Sequence, residues 1–188
     1  VRAELLRKSI HCLIALVPLL ASFDYQNTAL LLIIGIFIYT TLESLRYLGF
    51  YPPFIASITT TVLRKREQGH FALAPVTLGL GALLSLILFS PTVSAISIYV
   101  LAFGDTAGTM AGKFIGRIRP KILLGKSIEG SIACFTASSL AAYMVIQNWQ
   151  IAVIAGITAF FIDMLPLGDM DNILMPLAAG FACLFFTV

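Results

Sequence analysis

The stretch 103–131 reads F-G-D-T-A-G-T-M-A-G-K-F-I-G-R-I-R-P-K-I-L-L-G-K-S-I-E-G-S. It begins inside an apolar run, leaves it through glycines and the five cations Lys113, Arg117, Arg119, Lys121 and Lys126, and re-enters apolar sequence at Ile128. An acid stands at each border, Asp105 and Glu129. Charges beside lipid are costly, so the arrangement asks for a charged ligand, and nucleotide phosphates at a membrane surface meet that demand. On an α-helix residues four apart share a face. Gly104, Gly108, Gly112 and Gly116 then form a smooth ridge suited to close helix contact, while Asp105, Thr109 and Lys113 form the next row, which Arg117 extends. Packing explains the glycines and membrane topology explains the cations, but neither requires Asp105 or Glu129.

Working outward, 59% of the 188 residues are apolar, 11% are charged, and the mean hydropathy is +0.98. Soluble domains are about half apolar and about a quarter charged. The composition therefore predicts an all-α, polytopic membrane helix bundle, a single integral membrane domain over 1–188, which the resemblance given below makes a catalytic one. The net charge of +3 is explained by topology and a phosphate ligand, without nucleic acid as a partner. Cys12, Cys134 and Cys183 lie in apolar runs without paired spacing and read as small core residues. Arg7 and Lys8 before a short apolar run imitate a secretion signal, but no small-x-small pattern follows, so the segment is expected to stay as a helix.

About seven transmembrane helices are predicted. The first covers 9–23 with a kink at Pro18, the second 28–48, the third 71–89, and the fourth begins near 92 and carries the glycine ridge. The fifth covers 127–147 with Ser127 as N-cap, the sixth 151–165, and a seventh follows the acidic loop 166–172. The segment 54–66, ending in Arg64, Lys65 and Arg66, is expected to be an interfacial helix. All twelve Lys and Arg fall at 2–8, 46–66 and 113–126, which seven spans place on one side. The positive-inside tendency makes that side cytoplasmic. Glu43, Asp105, Glu129, Asp163, Asp169 and Asp171 gather near the same face.

A nucleoside triphosphate needs cations for its phosphates and carboxylates for its metal. Arg117 and Arg119 suit bidentate phosphate contacts, and Lys113, Lys121 and Lys126 serve as point charges. Asp105, Asp163 and Asp171 are the candidates for Mg²⁺. Gly125-Lys126-Ser127 imitates the end of a phosphate-binding loop, but Pro120 stands where its first glycine belongs. Lys8 and His11 sit at the inner end of the first helix. Glu43 and Arg46, three apart, form either a structural ion pair or part of the site.

These residues resemble the CTP-dependent lipid-alcohol kinases, which include dolichol kinase, phytol kinase and CTP-using diacylglycerol kinase. The matching text is Gly104-Asp105-Thr106-Ala107, Gly112-Lys113 with Gly116-Arg117, and Lys126-Ser127-Ile128-Glu129-Gly130-Ser131. These are similar, in order, to the series G-D-x-x-A, G-[RK]-x-x-G and K-[ST]-x-E-G-[ST]. Glu4 to His11 is similar to an E-x-x-R-K-x-x-H opening, and Asp171-Asn172 with Pro176 to a D-N-x-x-x-P segment. The resemblance implies phosphoryl transfer from CTP to a membrane lipid alcohol with Mg²⁺. By motif position it carries Asp105, Lys113, Arg117, Lys126, Ser127 and Glu129, joined by Asp171 and Asn172, to nucleotide and metal binding; Thr106, Gly130 and Lys121 are further nucleotide candidates, and Asp105 and Glu129 are the candidate catalytic acids. Phosphatidate cytidylyltransferase is more distantly similar, but its G-H-G-G segment is absent, since 166–171 reads P-L-G-D-M-D. A small transporter is the alternative from another class; against it, no chain of polar groups crosses the midplane. The helices could pack within one chain or between chains of an oligomer.

Overall fold

The computed structural model of the protein describes residues 2–50, 70–120 and 125–187, and the regular elements among them are all helices. The expected interfacial helix at 54–66 and Lys121 lie outside the described residues. Helix α1, Arg2–Cys12, runs through a 3₁₀ turn, Leu13–Ala15, into α2, Leu16–Phe23. The first helix therefore begins at Arg2, not near residue 9. Its charged first turns are helical because their side chains find partners: Arg7 bonds Glu4, and Lys8 pairs with Asp105. The bend expected at Pro18 is taken up one turn earlier by the 3₁₀ segment, since proline has no N–H for the carbonyl four residues back.

Helix α3, Tyr25–Tyr47, is capped by the Asp24 carboxylate, which accepts from the Asn27 N–H at 3.0 Å. It ends before Gly49, whose φ of 92° is a left-handed conformation that suits glycine. Next come α4, Ala74–Leu88, and α5, Pro91–Tyr99, with Pro91 in the first turn. A π-helical segment, Val100–Asp105, then leads into α6, Thr106–Phe114. Helix α7, Ile128–Ile146, starts from Ser127 as expected, the hydroxyl accepting from the Gly130 N–H at 3.2 Å. Helix α8, Trp149–Met164, is capped by Asn148. A 3₁₀ turn, Gly168–Met170, leads into α9, Asp171–Thr187. Asp171 and Asn172 thus begin a helix and do not lie in a loop.

Among the described residues, five helical stretches are long and apolar enough to cross a membrane: Glu4–Phe23, Tyr25–Tyr47, Pro91–Phe114, Ile128–Ile146 and Gly168–Phe186. Ala74–Leu88 and Trp149–Met164 are shorter apolar helices, so the chain is a multi-pass membrane protein. Pro91–Phe114 is the central span, 61% buried, whereas Glu4–Phe23 is 17% and Tyr25–Tyr47 11% buried. The central span is enclosed by α7, α8 and α9 through Val93, Ile96, Val100, Cys134, Ala155, Ala159 and Ala179. Small residues dominate because lipid gives helices no hydrophobic reason to associate, so close packing must do it.

The glycine ridge packs on α7 as expected. A Cβ at Gly104 would overlap the Ser138 hydroxyl, and one at Gly108 would sit 3.0 Å from Cys134 Cβ. Helix α6 stops at Phe114, however, so Arg117 does not extend the Asp105 row. A second close crossing joins α4 to α9, where a Cβ at Gly81 would collide with the Asn172 carbonyl. That crossing sets the start of α9, and with it Asp171.

Candidate nucleotide site

A cleft of about 390 Å³ lies where α1, α7 and α9 begin and α6 and α8 end. Its wall takes Glu4 and Arg7 from α1; Thr109 and Lys113 from α6, beside Asp105; and Arg119, Lys126 and Ser127 from the loop before α7. Gly130, Asp163 and Asp171 complete it. Residues up to 167 positions apart in sequence converge because the spans alternate direction, so these ends meet at one side of the bundle.

Asp105 is buried at the base of the cleft. Lys8 of α1 bonds its Oδ2, His11 Nε2 lies 3.2 Å from the same oxygen, and the Thr109 hydroxyl donates to Oδ1 at 3.3 Å. His11 Nε2 also lies 3.3 Å from the Leu101 carbonyl. Both neighbours of that nitrogen are acceptors, so Nε2 carries the proton. A π-helix opens the regular hydrogen-bond ladder and recurs at functional positions; here its carbonyls face donors from the first helix, the Leu101 carbonyl facing His11 and the Ala102 carbonyl the Cys12 thiol at 3.7 Å. Lys8 and His11 brace Asp105 and do not themselves line the cleft.

On the opposite wall Ser131 donates to Asp163 Oδ2 at 2.7 Å, and Lys126 stands 3.6 Å from Oδ1 while bonding the Asp163 carbonyl. Lys113 bridges to Glu4 at 2.7 Å. Arg119 donates to the carbonyls of Gly112 and Gly125. The Arg7 guanidinium bonds Glu4, while its buried Nε has no hydrogen-bond partner among the described residues. Acids and cations are therefore balanced across the cleft, each cation held by an acid or a carbonyl.

Several expected residues stand elsewhere. Arg117 is exposed and outside the lining. Glu129 also lies outside it, and its carboxylate accepts from the Arg117 and Ile118 amides. Asn172 turns to α4, donating to Thr77 Oγ1 at 3.0 Å and the Ala74 carbonyl at 3.3 Å. Thr106 meets Cys12 at 3.4 Å. Glu43 and Arg46 form a bidentate pair at 2.7 and 2.6 Å, away from the cleft, where Glu43 also accepts from the Ala72 N–H at 2.8 Å. Neither residue lines the cleft. Glu4 and Arg7 are wall residues absent from the expected site; their signals were the E-x-x-R-K-x-x-H text and, for Arg7, its place among the cations at 2–8.

Asp105, Asp163 and Asp171 share the cleft, but among the described residues no three His, Cys, Asp or Glu side chains are close enough to form a ready metal cluster. Magnesium commonly takes one or two carboxylates and completes its shell with phosphate oxygens and water. Two or three separate acids in one cleft fit that demand.

The CTP-dependent diacylglycerol kinase 1 of Saccharomyces cerevisiae is 28% identical to this chain over 144 residues, covering 75% of the chain and 50% of the yeast protein. The enzyme of that name from Eremothecium gossypii is 29% identical over 144 residues, 73% of this chain and 44% of its own length. The chain is similar to these two kinases over about three quarters of its length. It spans about half the length of these two kinase relatives. An uncharacterised protein of Methanocaldococcus jannaschii is 28% identical over 186 residues, 95% of this chain and 91% of the archaeal one. No family model matches the chain, and no solved structure matches it significantly.

Proposed function

We propose that the protein transfers the γ-phosphoryl group of CTP to the hydroxyl of a membrane lipid alcohol, with diacylglycerol the first acceptor to test. The observation that carries this reading is the convergence of Arg7, Lys113, Arg119 and Lys126 with Asp105, Asp163 and Asp171 in one cleft at the end of a membrane bundle. Relationship to kinases named for CTP and diacylglycerol supports the nucleotide and the lipid class. The cation distribution supports a cytoplasmic location for the cleft.

Phosphoryl transfer asks little covalent chemistry of a protein; positioning and charge neutralisation supply most of the rate. The cations exchange their present acid and carbonyl partners for phosphate oxygens. That exchange frees Asp163 from Lys126; Asp163 and Asp171 are the residues that would hold Mg²⁺, and the ion would supply charge neutralisation for the phosphates. Asp105, braced by Lys8 and His11, accepts the proton of the attacking hydroxyl. The lipid oxygen forms its bond to the γ-phosphorus as the bond to the β-bridging oxygen breaks, giving CDP and a lipid monophosphate. An acid bound to metal is a poor base, so the two tasks fall to separate walls of the cleft.

The test is purified protein in lipid nanodiscs with CTP labelled at the γ- or the α-phosphate, offered diacylglycerol, dolichol and phytol. Label from the γ-position in the lipid, with CDP released, is the expected result. Label from the α-position with pyrophosphate would identify nucleotidyl transfer, and no incorporation from either would overturn the proposal.

A further inference from the structure

Glu129 belongs to the first turn of α7, beside a cleft built for phosphates, yet its side chain is turned to the chain's own backbone. Oε1 accepts from the Arg117 N–H and the Ile118 N–H, both at 3.0 Å, and Oε2 lies 3.2 Å from the Ile118 N–H. Successive amides directed at one anion form a concavity of the kind that binds phosphate; here the anion is built into the protein. Beside this contact the Ile128 N–H donates to the Ile118 carbonyl at 3.0 Å. Arg119, the next residue along, bridges the Gly112 and Gly125 carbonyls. These contacts tie the described part of the loop, 115–120, to both helices that flank it.

We infer that Glu129 is a positioning residue, a clasp that holds Arg117 and Ile118 against the start of α7 so that Arg119 and Lys126 face the cleft. Helix α6 has ended at Phe114, Pro120 has no N–H to donate, and the described residues of the loop, 115–120 and 125–126, form no regular element. Without an acceptor at 129, two adjacent amides lose their partner and the cation-bearing backbone loses its register to α7. Glutamine keeps one oxygen that reaches both amides, so the role requires an acceptor and not a proton carrier.

The kinetic arm rests on the CTP-kinase reading above; the structural arm does not. The first measures amide hydrogen exchange over 115–119 in wild type, Glu129→Gln and Glu129→Ala. Slow exchange in wild type and the glutamine variant, with fast exchange in the alanine variant, is expected. The second measures CTP kinetics. Glu129→Ala should raise KM for CTP about tenfold with kcat changed by less than about threefold, the scale of a lost charge-assisted hydrogen bond expressed in binding. Glu129→Gln should restore KM. A glutamine variant with kcat reduced a hundredfold at unchanged KM would overturn the inference by making Glu129 a proton carrier, and unchanged exchange in the alanine variant would overturn it by removing the clasp. If wild type fails to use CTP, the functional proposal fails while the exchange experiment still decides the clasp.

Discussion

Glu43 and Asp105 are both carboxylates buried in apolar helices with a cation beside them, yet they face opposite surroundings. Glu43 is 0% exposed, and its oxygens accept from Arg46 and from the Ala72 N–H, while Arg46 in turn donates to the His70 carbonyl. These contacts fasten residues 70–72 to α3. Asp105 has similar partners in Lys8 and His11 but borders a cleft where Asp163, Lys113 and Lys126 also stand. Ion pairing alone therefore does not separate a structural acid from a chemical one. What separates them is whether an incoming ligand can reach the group.

The comparison breaks most sharply at Asp105. Asp105→Asn should lower CTP-dependent lipid phosphorylation by more than about a hundredfold, within the range that general acid–base groups contribute, while the bundle stays folded by thermal melting in detergent. Normal turnover in that variant would put Asp105 in the same class as Glu43. The converse change is Glu43→Gln, which removes the carboxylate from its buried bidentate pair with Arg46. It should cost about 3–5 kcal/mol of stability, the usual penalty for breaking a buried pair from one side. KM for CTP should be unaltered in the fraction that folds; a raised KM with unchanged melting would move Glu43 to the site.

A third acid, Asp24, sharpens the contrast from the solvent side. It lies in the turn between the first two spans, and the backbone N–H of Asn27 holds its carboxyl below the usual carboxylate value. A folded-state pKa below the unfolded one stabilises at pH above the unfolded value, and the stabilisation is lost as pH falls through the folded value. Melting temperature below about pH 4, where free aspartate titrates, should fall slightly more in wild type than in Asp24→Asn, whose amide keeps a cap without a titrating proton. Identical acid profiles would remove the cap's charge from the account. This is the smallest of the three effects because the group is exposed and screened.

Much of the fold was legible in composition. Apolar runs near twenty residues, broken by Asp24, by Ser90-Pro91 and by Asn148, lead to seven helical segments because a backbone in lipid must satisfy its own hydrogen bonds. The ridge of Gly104, Gly108 and Gly112 was legible for the same reason, since four-residue spacing on a helix is a local property. The start of the first helix was not, because Glu4, Arg7 and Lys8 look like flanking charges until their partners on α6 and the π-helical segment are present. Asn172 and Glu129 were read as ligand contacts from their place in motifs, but a motif states which residues recur and not where a side chain turns.

The amino-acid order by itself determined that the protein is a multi-pass helical membrane protein with an acid, a glycine ridge and five cations in succession at one end. Those follow from hydropathy and from helix periodicity, which act over a few turns. Only the tertiary structure decided which charges meet. Asp105 and Asp163 gained their cleft from the way distant helix ends pack together, and no local pattern encodes that arrangement.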